Sequence, residues 1–150
     1  MSEIGHVAMR IDEEAGRYKR FGHPVSVVSL DLDDFDRINR KAGQPGGDAV
    51  LREIGVLLRR HSRQFTVLAR DRGDDFAIVL PNTNRTGAVS YAERIKALIA
   101  QHPFEHGTVT ASLGVASLPE SVAGSDELLG GAYQSVADAK RSGGNRVAAL

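Results

Sequence analysis

Arg70-Asp71-Arg72-Gly73-Asp74-Asp75-Phe76 is a charged turn held between two apolar runs. Phe65-Thr66-Val67-Leu68-Ala69 precedes it, and Phe76-Ala77-Ile78-Val79-Leu80-Pro81 follows. Both runs are short, rich in β-branched or aromatic residues and closed by turn residues, which predicts two strands. A tight turn with one glycine joins them into a predicted hairpin. Asp74 and Asp75 share its tip, a costly crowding unless solvent or a cation neutralises them. Upstream, Leu30-Asp31-Leu32-Asp33-Asp34-Phe35 sets a second acidic edge at the end of another apolar run. A fold that brings Asp31 beside Asp74 makes a site for a hard, oxygen-loving cation such as magnesium, which commonly serves a nucleotide phosphate. The competing reading is a solvated acidic turn.

Around this hairpin the chain alternates helices and strands. Helical spacing of Val7, Ile11, Ala15 and Tyr18 predicts a helix over 7–21, ended by Gly22-His23-Pro24. Residues 25–31 form a continuous apolar strand suited to a sheet centre. A short helix over 34–41, a loop over 42–47 and a second helix over 48–61 come next. That second helix carries Val50, Leu51, Ile54, Leu57 and Leu58 on one face. Beyond the hairpin, Asn82-Thr83-Asn84 offers caps for a helix reaching residue 100. A strand over 108–117, a helix over 126–141 and a short strand over 146–149 complete the order. Such a pattern predicts an α/β (α+β) fold, a mixed sheet of about five strands flanked by helices.

Composition narrows the function. The 150 residues are 41% hydrophobic and 25% charged, ordinary for one globular domain over 1–150. A formal net charge of zero argues against nucleic-acid binding by bulk charge. With no cysteine, disulfides, thiolate chemistry and cysteine zinc sites are excluded. No apolar run approaches membrane-spanning length and no signal-peptide pattern opens the chain, so a cytoplasmic domain without membrane contact is expected. His102 and His106 are four apart, but Pro103 and Gly107 argue against a helical metal pair. A phosphate-binding Gly-rich loop with Lys-Ser/Thr is missing.

Four ordered blocks resemble the GGDEF domain of diguanylate cyclases. Residues 30–39 resemble that family's Asp-x-Asp-x-Phe-Lys-x-x-Asn segment, and 43–51 its Gly-His-x-x-Gly-Asp-x-x-Leu. Residues 72–76 occupy the name-giving hairpin, and 139–146 resemble the closing Ala-Lys-x-x-Gly-Arg-Asn. The resemblance implies a polymerase-palm or nucleotide-cyclase-like fold and magnesium or manganese as cofactor. It also implies a homodimer in which the 3′-hydroxyl of one GTP attacks the α-phosphate of the other, giving cyclic di-GMP. The protein then contributes positioning and charge rather than covalent chemistry.

Residue by residue, the resemblance assigns the metal to Asp31, the Leu32 carbonyl and Asp74, and names Asp74 and Asp75 as the catalytic carboxylates. It assigns guanine to Asn39 and Asp48, and phosphate to Lys140. Their plainer readings are a helix C-terminal residue, an N-terminal charge on a helix dipole and a last-turn cation. Ser112 matches the family's strand Ser-x-Gly, a core and turn element. Departures are equally specific. Arg72 replaces a glycine and should fill the nucleotide pocket or lie over phosphates. Asp75 replaces a glutamate, shortening its reach by one methylene. Asp36 stands where the family has a phosphate-binding lysine; a unit charge pair at about 4 Å is worth roughly 4 kcal/mol at an effective dielectric near 20, before screening. Gly144 replaces a phosphate-contacting arginine. In the family's product-feedback motif Arg-x-x-Asp, Arg63 remains and Thr66 replaces the aspartate. Before the first helix, the family's Leu-Thr-x-Leu-x-Asn-Arg block is truncated or diverged.

Three readings follow. One is a degenerate GGDEF domain with weak or absent cyclase activity, and a regulatory, nucleotide-sensing or dimerising role toward GTP, cyclic di-GMP or other signalling domains. Another is an active cyclase. The last is a protein-interaction module with an empty site.

Overall fold

The computed structural model describes residues 4–71 and 73–150. Its elements are α1 (Ile4–Phe21), β1 (Val25–Leu32), α2 (Phe35–Arg60), β2 (Val67–Asp71), β3 (Asp75–Pro81), α3 (Arg85–Gln101), β4 (Ala111–Leu118), α4 (Leu128–Arg141) and β5 (Val147–Ala149), with a 3-10 turn at Ser125–Glu127. The sheet runs β2-β3-β1-β4-β5. All its pairings are antiparallel except β4 with β5. This is the predicted mixed five-strand sheet flanked by helices.

β1 occupies the centre because both its faces are apolar. Val28, Leu30 and Leu32 join Ile54 and Leu58 of α2 and Ile95 and Ile99 of α3 in one core. Val25 and Val27 join Val7 and Ile11 of α1 and Leu128 and Ala132 of α4 in the other. Each valine, leucine or isoleucine among them contributes about 1.5–3 kcal/mol when fully buried. Gly114 lets α4 press on β4: a β-carbon there would stand 2.2 Å from the Ala132 carbonyl oxygen. Among the described residues, no helix is long and apolar enough to cross a membrane.

Two local expectations need correction. Residues 42–47 are not a six-residue loop: the two expected helices meet at a sharp break at Gly43 (φ 71°, ψ 176°), and α2 comprises both. Pro45 falls in the first turn after that kink, where a missing N–H costs nothing. Gly46 belongs there because a β-carbon would meet that of Ala42 at 2.3 Å. The second correction concerns Phe65, which is 71% exposed. A turn in which the Thr66 amide donates to the Arg63 carbonyl (3.1 Å) delays the strand to Val67. The predicted cap is Asn84, whose Oδ1 accepts from the Gly87 amide at 2.9 Å.

Candidate functional site

Strand register assembles the acidic cluster. Asp31 of β1 lies directly opposite Asp75 of β3, and Asp75 opposite Asp71 of β2. On the other side of Asp31 stands Ser112 of β4. Directly opposed residues project from the same face, so Asp71, Asp75, Asp31 and Ser112 form a row across four strands on the α4 side. Asp74, in the hairpin turn, completes the cluster. One carboxylate oxygen from each of Asp31, Asp74 and Asp75 falls within 4.8 Å of the others. All three residues are half-buried.

That proximity has an electrostatic cost. Burial pushes the Asp74 carboxyl above its usual range, the neighbouring Asp31 charge pushes it further, and Asp36 adds to the rise while Lys140 opposes it. A divalent cation would relieve the cluster, and three carboxylates with a nearby carbonyl are the hard-oxygen donors that magnesium or manganese prefers. The residues present therefore fit the metal that the resemblance implies.

Lys140, at the end of α4, reaches into the same place. Its Nζ lies 3.2 Å from Asp31 Oδ2 and 3.5 Å from Asp33 Oδ1, and donates to the Leu32 carbonyl at 3.2 Å. Asp33 is a residue to which the sequence assigned no role. It accepts from Ser112 Oγ at 2.7 Å, Thr110 Oγ1 at 2.8 Å and the Asn145 amide at 2.8 Å. Burial alone would raise its pKa, but the hydrogen bonds from Ser112, the Asn145 amide and Thr110, with Lys140, bring the carboxyl below its usual range. Asp33 thus ties the end of β1 to the entry of β4 and to the turn after α4. Its sequence signal is the second aspartate of Asp-x-Asp, read with Ser112 of Ser-x-Gly. Tyr133 of α4 is a second unassigned residue; its hydroxyl donates to the buried Asp71 carboxylate.

The kink in α2 arranges Asn39 and Asp48. A β-carbon at Gly47 would stand 2.0 Å from Asn39 Oδ1, so the Asn39 amide lies over the Gly47 backbone, with Asp48 next in the chain. Both polar residues are half-buried. Asp36 and Gly144 contrast with them. Asp36 is exposed in the first turn of α2. Gly144 has φ +74°, and a β-carbon there would meet the Asp33 carboxylate at 3.1 Å. An arginine at 144 is strained by both. What was expected of Arg72, as a nucleotide contact and as a departure, lies outside the described residues.

Thr66 is buried and lines a groove of about 1090 Å³ with Arg63, Arg94, Arg10 and Arg17. Two of these arginines approach buried Glu14, Arg10 at 3.9 Å and Arg17 at 3.3 Å. This groove is separate from the acidic cluster, whose residues do not line it.

The family model for "Diguanylate cyclase, GGDEF domain" matches residues 6–146. The chain belongs to the GGDEF-domain family. Over 142 residues it is 34% identical to the diguanylate cyclase DgcP of Pseudomonas aeruginosa, covering 92% of this chain and 21% of that protein. Over 144 residues it is 34% identical to the response regulator PleD of Caulobacter vibrioides, covering 92% of this chain and 32% of that protein. This GGDEF domain thus spans a third or less of these relatives. Among solved structures, it superposes on the active GGEEF domain of a Vibrio cholerae diguanylate cyclase with a TM-score of 0.88 and 31% identity, covering 94% of this chain and 92% of that one. That likeness accounts for the topology, with the name-giving hairpin at β2-β3 beside the central β1.

Proposed function

We propose that residues 1–150 form one GGDEF domain of cyclic di-GMP signalling in which the metal and guanine contacts persist while the triphosphate clamp has degenerated. It holds magnesium or manganese through Asp31, the Leu32 carbonyl and Asp74, reads guanine through Asn39 and Asp48, and has weak or absent diguanylate cyclase activity. Its role is regulatory: to sense a guanine nucleotide or to dimerise with a second copy or another signalling domain in the cytoplasm.

The observation that carries this reading is the charge imbalance around Asp74. Asp36 adds to the repulsion there, and position 144 offers only backbone at a positive φ. A triphosphate entering beside Asp74 meets an extra anion where the family supplies a cation. The metal, when bound, would neutralise phosphate charge and polarise the transferring phosphoryl group. The chain's own contribution is to fix the base through Asn39 and Asp48 and to exclude misalignment by anchoring β1 and β4 through Asp33. Catalysis would further ask Asp75 to span the distance that a glutamate covers in the family.

An active homodimeric cyclase is the second reading. It is favoured by the preserved convergence of Asp31, Asp74 and Asp75 and by 31% identity to a domain described as active. Incubation of the domain at high concentration with GTP and Mg²⁺ or Mn²⁺ separates the two. Steady production of cyclic di-GMP overturns the degenerate reading. Calorimetry with GTP and with cyclic di-GMP then identifies the ligand; silence toward both overturns nucleotide sensing.

A further inference from the structure

A lysine ammonium has three donors and no acceptor. Among the described residues, Lys140 Nζ lies against oxygens at and just past the end of β1: Asp31 Oδ2, the Leu32 carbonyl and Asp33 Oδ1. Two of them belong to the donor set proposed above for the divalent cation. An ammonium and a divalent cation compete for one small group of oxygens, because two positive charges would then stand within a few ångströms of each other in a half-buried place.

We propose that Lys140 is the resident counter-ion of the metal position, and that it must leave Asp31 and the Leu32 carbonyl before a divalent cation takes them. The inference rests on the metal reading of the preceding subsection. Asp33 stays behind as an anchor for the displaced ammonium, since Ser112, Thr110 and the Asn145 amide fix its carboxylate independently of Lys140. Two consequences follow. In the metal-free domain Lys140 offsets part of the cluster's negative charge, so the metal alone binds more weakly than the carboxylates by themselves would hold it. Metal and nucleotide bind cooperatively, because a phosphate gives the displaced ammonium a new partner, and the coupling is reciprocal.

The test is Mn²⁺ titration of the nucleotide-free domain, with free Mn²⁺ counted by electron paramagnetic resonance, for the unaltered chain, Lys140→Met, Lys140→Gln and Asp31→Asn. Removing the competitor should tighten Mn²⁺ binding about fivefold or more in both lysine variants, and Asp31→Asn should lose it. A merely structural lysine would weaken binding instead. Unchanged or weaker binding in the lysine variants, with loss in Asp31→Asn, overturns the counter-ion role and leaves the metal reading standing. Undiminished binding in Asp31→Asn overturns both. A measurement on the unaltered chain guards against variants that fail to fold. The ¹⁵N-labelled Lys140 side chain should shift on addition of diamagnetic Mg²⁺, and a signal that stays in place while Mg²⁺ binds overturns the inference.

Discussion

The half of the site proposed to hold metal and base and the half proposed to face phosphate are made of different material. Asp31 and Asp75 sit in register on paired strands, and Asn39 is packed against a glycine with no room for a β-carbon. Asp36, by contrast, stands exposed on a helix turn, and Gly144 belongs to the turn after α4. Residues in the first half are entangled with the fold, so changing them disturbs packing, register or hydrogen bonds as well as ligand contacts. Asp36 has no structural task of comparable weight. Loss of function without loss of fold is therefore expected to begin in the second half, where the sequence comparison puts Asp36 and Gly144.

The contrast is open to attack at several points. The largest effect should come from Asp33→Ala, which deprives Ser112, Thr110 and the Asn145 amide of their acceptor. We expect a loss of about 3 kcal/mol at neutral pH, or roughly 6–12 °C in a thermal melt. Because folding lowers the Asp33 pKa, its stabilisation is present above the unfolded-state pKa and lost as pH falls through the folded one. Melts of the two proteins should therefore converge in acid. A neutral-pH difference near zero would break the claim that this half is structural.

Gly47→Ala comes next. The added methyl group must displace Asn39, at a cost of about 1–2 kcal/mol in stability and about tenfold in the preference for GTP over ATP. Full retention of that preference would detach Asn39 from base reading. Asp36→Lys probes the other half. GTP affinity should rise about tenfold, or about 1.4 kcal/mol, with unchanged melting, and the gain should shrink as salt is added. Gly144→Arg should give no comparable gain, because its backbone resists a side chain. The smallest change should come from Thr66→Asp, raising cyclic di-GMP affinity about threefold by calorimetry; a gain equal to that of Asp36→Lys would place the main regulatory ligand in the arginine-lined groove instead.

Much of this arrangement was legible in the sequence, for identifiable reasons. Continuous apolar β1 and the alternation of strands with helices led to the sheet, and Asn84 announced its cap. The kink in α2 was hidden because three glycines and a proline look like a loop. Only the close packing of Gly46 on Ala42 and of Gly47 on Asn39 shows that they permit two helical turns to meet. Phe65 looked like strand because hydrophobicity does not reveal where a turn delays pairing. Asp33 was passed over for a different reason: its motif is visible, but its partners at 110, 112 and 145 are distant in the chain. Lys140 was read as a phosphate contact; its engagement with Asp31 and Leu32 depends on how α4 lies on the sheet.

The acidic row spans three adjacent strands, and side chains alternate between faces at each step along a strand. A single inserted or deleted residue within β1 or β3 would turn Asp31 or Asp75 toward α2, into the layer occupied by Leu30 and Phe76. Tolerance of this domain to length changes should therefore be binary along these strands, while point replacements on the exposed turns can accumulate one at a time. Lineages carrying such a chain can lose catalysis by small steps, but can mislay the cluster itself only in one jump.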